Sequence, residues 1–138
     1  MKTAQLTLDN RISELDKLRE LLEETVVEQW GISPAVGMSV NLALEEAFAN
    51  IVQYAFDDQE PHEIDLLFQL KDKQLVITIR DDGHAFDPTK KDAPDTSLPA
   101  GERPIGGLGI FLVKKIMDEV TYNRIDNINQ LTLTKKIN

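Results

Sequence analysis

The sequence predicts an α+β domain in which helices pack on one face of a mainly antiparallel sheet. Three observations carry that expectation. The apolar residues change period along the chain, from alternation to helical spacing and back. Two alternating runs in the middle are separated by a link short enough for an antiparallel hairpin, and a second such pair closes the chain. The resulting order is strand, helix, helix, hairpin, loop, helix, hairpin, in which runs of strands alternate with runs of helices instead of forming a strand–helix–strand repeat. A length of 138 residues fits one domain, taken as residues 1–138.

Residues 3–9 alternate, with Leu6 and Leu8 on one face, and read as a strand. Asn10 is placed to cap a helix carrying Ile12, Leu15, Leu18, Leu22 and Val26, which ends near Gly31. Ser33-Pro34 is a second start signal, a capping hydroxyl followed by proline at the first helical position. The helical pattern then runs to about Phe56, where Asp57-Asp58-Gln59-Glu60-Pro61 breaks it. Ile64, Leu66, Phe68 and Leu70 share one face of the next strand, and Leu75, Ile77 and Ile79 one face of its partner, across a Lys71-Asp72-Lys73 link. Residues 84–104 have no period and carry four of the six prolines, the pattern of a functional lid or a disordered segment. Glycines 106, 107 and 109 precede a helical run at 110–117. Strands at 119–125 and 130–137 follow, joined by an Asp126-Asn127-Ile128-Asn129 turn.

Composition excludes several functions. Lys and Arg number 15 against 24 Asp and Glu, a formal net charge of −9, so there is no excess positive charge to release phosphate counterions and direct nucleic-acid binding is not expected. Cysteine is absent, which removes a disulfide framework, a thiolate metal site and a thiol nucleophile together. No apolar run approaches the roughly 20 residues of a membrane span, and the first residues lack the apolar core of a signal peptide. A cytoplasmic protein with no membrane association is expected.

Three short motifs can carry chemistry. Glu46 and Asn50 lie four residues apart and so project from one helix face, with the small residues Ala43 and Ala49 beside them. A carboxylate and an amide oxygen side by side can hold a hard cation such as Mg²⁺ and orient a hydroxyl. Alone, the pair reads better as two ordinary polar residues on a solvated face. In Ile79-Arg80-Asp81-Asp82-Gly83, strand parity puts Asp81 on the core side with Ile77 and Ile79, and Asp82 on the other. A carboxylate ending a buried face needs a donor, which an amino-bearing heterocycle such as adenine can supply, and Gly83 lets backbone approach closely. An aspartate opening an ordinary turn is the competing reading. Gly106-Gly107-Leu108-Gly109 opens into a helix, where free backbone amides and the helix dipole suit an anion. A Rossmann reading fails because no strand immediately precedes these glycines, and a Walker A reading fails because no Lys-Ser/Thr pair follows them.

The order of the three motifs resembles that of the GHKL superfamily of ATPases, the ATP-binding domains of gyrase, chaperone, histidine kinase and mismatch-repair proteins. The resemblance covers residues 35–137. Within it, Glu46-Ala47-Phe48-Ala49-Asn50, Asp81-Asp82-Gly83-His84-Ala85-Phe86-Asp87-Pro88 and Gly106-Gly107-Leu108-Gly109-Ile110-Phe111-Leu112-Val113 are most similar to the bacterial anti-sigma-factor serine kinases. This implies a two-layer α/β sandwich of the GHKL (Bergerat) type, with a mainly antiparallel mixed sheet covered on one face by helices. It also implies Asn50 as the Mg²⁺ ligand, Glu46 as general base, Asp81 at the adenine amino group and Gly83 closing the adenine turn. Gly106, Gly107, Leu108 and Gly109 would meet phosphate. Two positions depart from the pattern: Ala85 stands where many relatives have glycine, and Tyr54 where several have histidine.

The resemblance further implies ATP and Mg²⁺ as cofactors and phosphorylation of a serine on a STAS-type anti-anti-sigma protein. A sigma factor is the other implied partner, and a two-fold homodimer through the N-terminal sheet region the implied assembly. Arg103 is a candidate γ-phosphate contact, or else a solvated charge of the lid. The lid itself, with Phe86 and Leu98 as its large apolar residues, is expected to order on ATP. The alternative is a non-catalytic, nucleotide-dependent binding module, against which the retained Glu46 argues. A histidine kinase is disfavoured, because the first helix carries no histidine.

Overall fold

The computed structural model describes residues 1–90 and 107–137. Strand β1 (Lys2–Asp9) is followed by helix α1 (Leu15–Leu21), helix α2 (Pro34–Tyr54) and the hairpin β2 (Glu63–Lys71) and β3 (Gln74–Asp81). Helix α3 (Gly107–Ile116) and the hairpin β4 (Glu119–Ile125) and β5 (Ile128–Lys136) complete the chain. The strands form one sheet in the order β1-β2-β3-β5-β4, antiparallel at every pairing among the described residues. The expected fold is thus present, without the parallel component that a mixed sheet allows.

Strand parity decides what the helices cover. Leu8, Ile64, Leu66, Phe68, Leu75, Ile77, Ile79, Leu131 and Leu133 are buried on one face. Leu18, Leu22, Val26, Val40, Leu44, Phe48, Ile51, Ile110 and Val113 meet them from the helices. Each such side chain contributes about 1.5–3 kcal/mol by leaving water. The opposite face of the sheet carries cross-strand polar pairs, Thr7 to Asp65 at 2.7 Å and Arg80 to Gln130 at 2.9 Å.

Local signals explain most element boundaries. Ser33 caps α2, its hydroxyl accepting from Val36 N at 3.2 Å, with Pro34 in the first turn. Both hairpins turn on two residues with positive φ, Asp72 and Lys73 at 52° and 62°, Asp126 and Asn127 at 52° and 65°, the geometry that matches strand twist. The second turn is therefore shorter than the four residues expected, and Ile128 and Asn129 belong to β5. Asn10 is not a helix cap. Its side chain accepts from His62 N at 3.1 Å and donates to Glu60 O at 3.4 Å, tying the end of β1 to the start of β2. The helix that follows begins as a 3-10 turn (Ile12–Glu14) and ends as a π-helix (Leu22–Gln29). Leu18, Leu22 and Val26 recur every four residues, which drifts around a helix of about 3.6 residues per turn, and the wider winding counteracts that drift. Gly31, at φ 76°, then lets the chain leave in the left-handed conformation.

Candidate functional site

Asp81 ends β3 on the core side, as parity requires, and is only 4% exposed. Its Oδ1 accepts from Gly83 N at 2.9 Å and from Asn129 Nδ2 at 3.0 Å. Burial pushes its carboxyl above the usual carboxylate range, while these two donors pull it back. Keeping a charge there costs folding free energy at neutral pH, which makes Asp81 a candidate functional group. Asp82, one residue on, is exposed.

Gly83 has a structural reason of its own. A Cβ at this position would lie 2.2 Å from the carbonyl oxygen of Ala55, at the C-terminal end of α2, and His84 N donates to that same oxygen at 2.9 Å. The glycine thus lets the exit of β3 press against the end of α2, in addition to the close ligand approach expected of it. Tyr54 and Phe86 stack 5.4 Å apart across the same junction. Gly83→Ala is expected to lose about 1–3 kcal/mol of stability, since backbone must move to admit the methyl; a urea unfolding curve measures it.

On α2, Val40, Leu44, Ala47 and Ile51 are buried towards the sheet as expected. Asn50 is only 2% exposed, and neither Nδ2 nor Oδ1 has a hydrogen-bond partner among the described residues. An unpaired buried amide is costly unless a ligand supplies its partners. One turn earlier, two consecutive glutamates have different surroundings. Glu45 is held by Arg19 at 3.1 Å and by Asn41 at 3.0 Å. Half-buried Glu46 is bonded by no described residue and is the one free to act on a ligand.

Helix α3 begins at Gly107, so Gly107, Leu108 and Gly109 form its first turn, three residues earlier than the apolar period indicates. The amides of that turn have no partner within the helix. Gly106 and Arg103, with most of the expected lid, lie outside the described residues. Helix α3 packs beside α2, so the third motif starts on the helix that neighbours the first.

The residues missed in the sequence surround Asp81. Asn129, 3% exposed, is its cross-strand partner. Besides Asp81, Asn129 Nδ2 donates to His84 O at 2.8 Å, while its Oδ1 accepts from Arg124 Nη1 at 2.8 Å and from the Tyr122 hydroxyl. Arg124 also donates to Gly83 O at 3.1 Å. A signal was present: Asp126-Asn127 suffices as a turn, and starting β5 at Ile128 gives Asn129 the inward parity of Leu131 and Leu133.

His62 links this region to the α2–β2 connection. Its Nδ1 lies 3.0 Å from Asp82 and its Nε2 2.9 Å from Asp58, with the ring stacked 4.4 Å from Phe56. The bond to Asp58 raises the His62 pKa above its ordinary value. Stability from a raised histidine pKa is complete below the unfolded value of about 6.5 and is lost as pH climbs through the folded value. The melting temperature of the protein should therefore exceed that of His62→Gln most at about pH 5.5, and the gap should narrow towards about pH 8. A pH-independent gap would assign the effect to packing on Phe56.

Comparison with known proteins adds four findings. Residues 8–135 match the histidine kinase-like ATPase domain family. The chain is 32% identical over 107 residues to the serine/threonine-protein kinase BtrW of Bordetella bronchiseptica, covering 78% of this chain and 74% of that one. It is 32% identical over 103 residues to the serine-protein kinase RsbW of Oceanobacillus iheyensis, covering 71% and 65% respectively. Among solved structures, the RsbU and RsbW domains of a Mycobacterium tuberculosis protein superpose with a TM-score of 0.67 at 15% identity, over 99% of this chain and 32% of that chain. That last likeness concerns the fold.

Proposed function

The chain belongs to the histidine kinase-like ATPase domain family, and from that premise we propose how its own residues carry out ATP-dependent phosphorylation of a serine in a partner protein. Asp81 accepts from the exocyclic amino group of adenine through Oδ2, the oxygen that no described group occupies. The first-turn amides of α3, from Gly107 to Gly109, face the phosphates, where the helix dipole favours negative charge.

Asn50 fits a hard cation, as a buried amide oxygen without a hydrogen bond among the described residues. It would hold Mg²⁺, which when bound offsets the charge of the triphosphate. Glu46, one turn away, takes the proton of the attacking serine hydroxyl. The serine oxygen bonds to the γ-phosphorus as the bond to the β–γ bridging oxygen breaks, and ADP leaves.

The acceptor serine belongs to a STAS-type anti-anti-sigma protein, and the second partner is a sigma factor, so that phosphorylation switches the kinase between the two in the cytoplasm. Strand β1 lies at a sheet edge, which supports a two-fold dimer through this region. Light scattering at tens of micromolar should give twice the chain mass. No helix of the described residues is long and apolar enough to cross a membrane.

The observation that carries the reading is Asn50, buried and, like Glu46 one turn away, without a hydrogen bond among the described residues. The test is incubation with γ-labelled ATP, Mg²⁺ and the STAS-type protein of the same genome. Label on a serine supports the reading. Partner binding that depends on nucleotide but leaves no label would replace it with a binding module.

A further inference from the structure

We propose that Asn129 is a specificity-determining positioning residue for the nucleotide base: it engages one oxygen of Asp81 and so leaves the other as an acceptor that selects a base bearing an amino group. The inference rests on the reading of Asp81 as the base-recognition carboxylate, and goes beyond it in naming what sets its selectivity.

The hydrogen bonding of Asn129 fixes its orientation. Both protons of its Nδ2 are used, on Asp81 Oδ1 and on His84 O, and its Oδ1 takes two donors, Arg124 Nη1 and the Tyr122 hydroxyl. Turning the amide over would set oxygen against the Asp81 and His84 oxygens and the amide nitrogen against the donors of Arg124 and Tyr122. The amide therefore has one orientation, settled by four partners from three segments. The register of the sheet reinforces it, since Asp81 and Asn129 are directly opposite on β3 and β5.

The consequence falls on Asp81. Gly83 N and Asn129 Nδ2 both donate to Oδ1, so the carboxylate cannot rotate without giving up two bonds. Its Oδ2 is left without a described partner, and an ionised carboxylate only accepts. A purine with an amino group at its six position donates to that oxygen. A purine with an oxo group there presents a second acceptor and is repelled. Selectivity of this kind is strong, because the wrong base leaves a buried polar group unpaired.

The charged groups acting on Asp81 are Asp82 on its own strand, which raises its pKa, and Arg124 on β4, which lowers it. His62 reaches Asp82, and Tyr122 reaches Asn129. Withdrawing the Asn129 donor leaves Gly83 N as the hydrogen bond on Oδ1. The carboxyl then protonates more readily, and a protonated carboxyl can donate to an oxo base.

The test compares ADP with inosine diphosphate, which differs in carrying oxygen in place of the amino group. Dissociation constants are measured by calorimetry from pH 6 to 8, with thermal unfolding to establish that each variant is folded. The parent protein should prefer ADP by more than about tenfold at every pH. Asn129→Leu keeps the size of the side chain and loses the donor without placing a second carboxylate beside Asp81. It should bind ADP about tenfold more weakly, prefer ADP by no more than about threefold, and weaken further as pH falls. Should Asn129→Leu not fold, Asn129→Ala, which also lacks the donor, is read in the same way. A folded variant with the parent's preference and a flat pH profile would overturn the role of Asn129. An Asp81→Asn variant that binds ADP normally would instead overturn the reading of Asp81.

Discussion

In Glu46→Gln, nucleotide affinity is retained while phosphorylation of the partner serine falls by about 10²–10⁴-fold. The substitution keeps the size and helix propensity of the side chain and removes only its ability to take a proton. The expectation is specific to Glu46. Glu45 beside it is engaged by Arg19 and Asn41 and ties α1 to α2, so Glu45→Gln should loosen that packing without touching transfer. Parallel assays of the two variants, with calorimetry for ADP, separate the roles. Equal rates for Glu46→Gln and the parent would leave Glu46 without a part in proton transfer.

Asp81→Asn should weaken ADP by tenfold or more, through the geometry of its two fixed donors. Gly83 N and Asn129 Nδ2 both point at one oxygen. An amide has a single oxygen. Placed on those donors, it turns its nitrogen towards the adenine amino group, donor against donor; placed on adenine, it turns its nitrogen towards Gly83 and Asn129. Either way a buried donor goes unpaired, and a lost hydrogen bond to a charged group costs about 1.5–3 kcal/mol, hence about tenfold or more in affinity. The same substitution removes a buried charge, so the variant should be no less stable than the parent. Reduced stability together with reduced affinity would point to a structural role for Asp81.

Much of this was legible in the residues. Period and parity were enough to place Asp81 on the buried face, because β3 alternates without interruption from Leu75 to Asp81. The i, i+4 spacing put Glu46 and Asn50 on one face because α2 carries a cap and no Gly or Pro between Met38 and Tyr54. Turn chemistry was harder to read. Asp126-Asn127 tolerates positive φ at both positions, so the hairpin needs two residues rather than four. That difference of two moves Asn129 from a surface loop to the base of the site. Asn10 has a good capping side chain, but His62 N and Glu60 O satisfy it instead, a competition between segments 50 residues apart that no local pattern reveals. Gly83 has a second reason that no local pattern reveals, the Ala55 carbonyl packed beneath it.

Asp81 and Asn50 are expected to serve the two ends of one bound nucleotide. A crystal structure of the chain with ADP and Mg²⁺ tests it directly. The adenine amino group is expected about 3 Å from Asp81 Oδ2, with Oδ1 still held by Gly83 and Asn129, and Asn50 Oδ1 among the ligands of the ion. Nucleotide bound away from Asp81, or Asn50 turned to a hydrogen bond within the protein while the ion sits elsewhere, would contradict it.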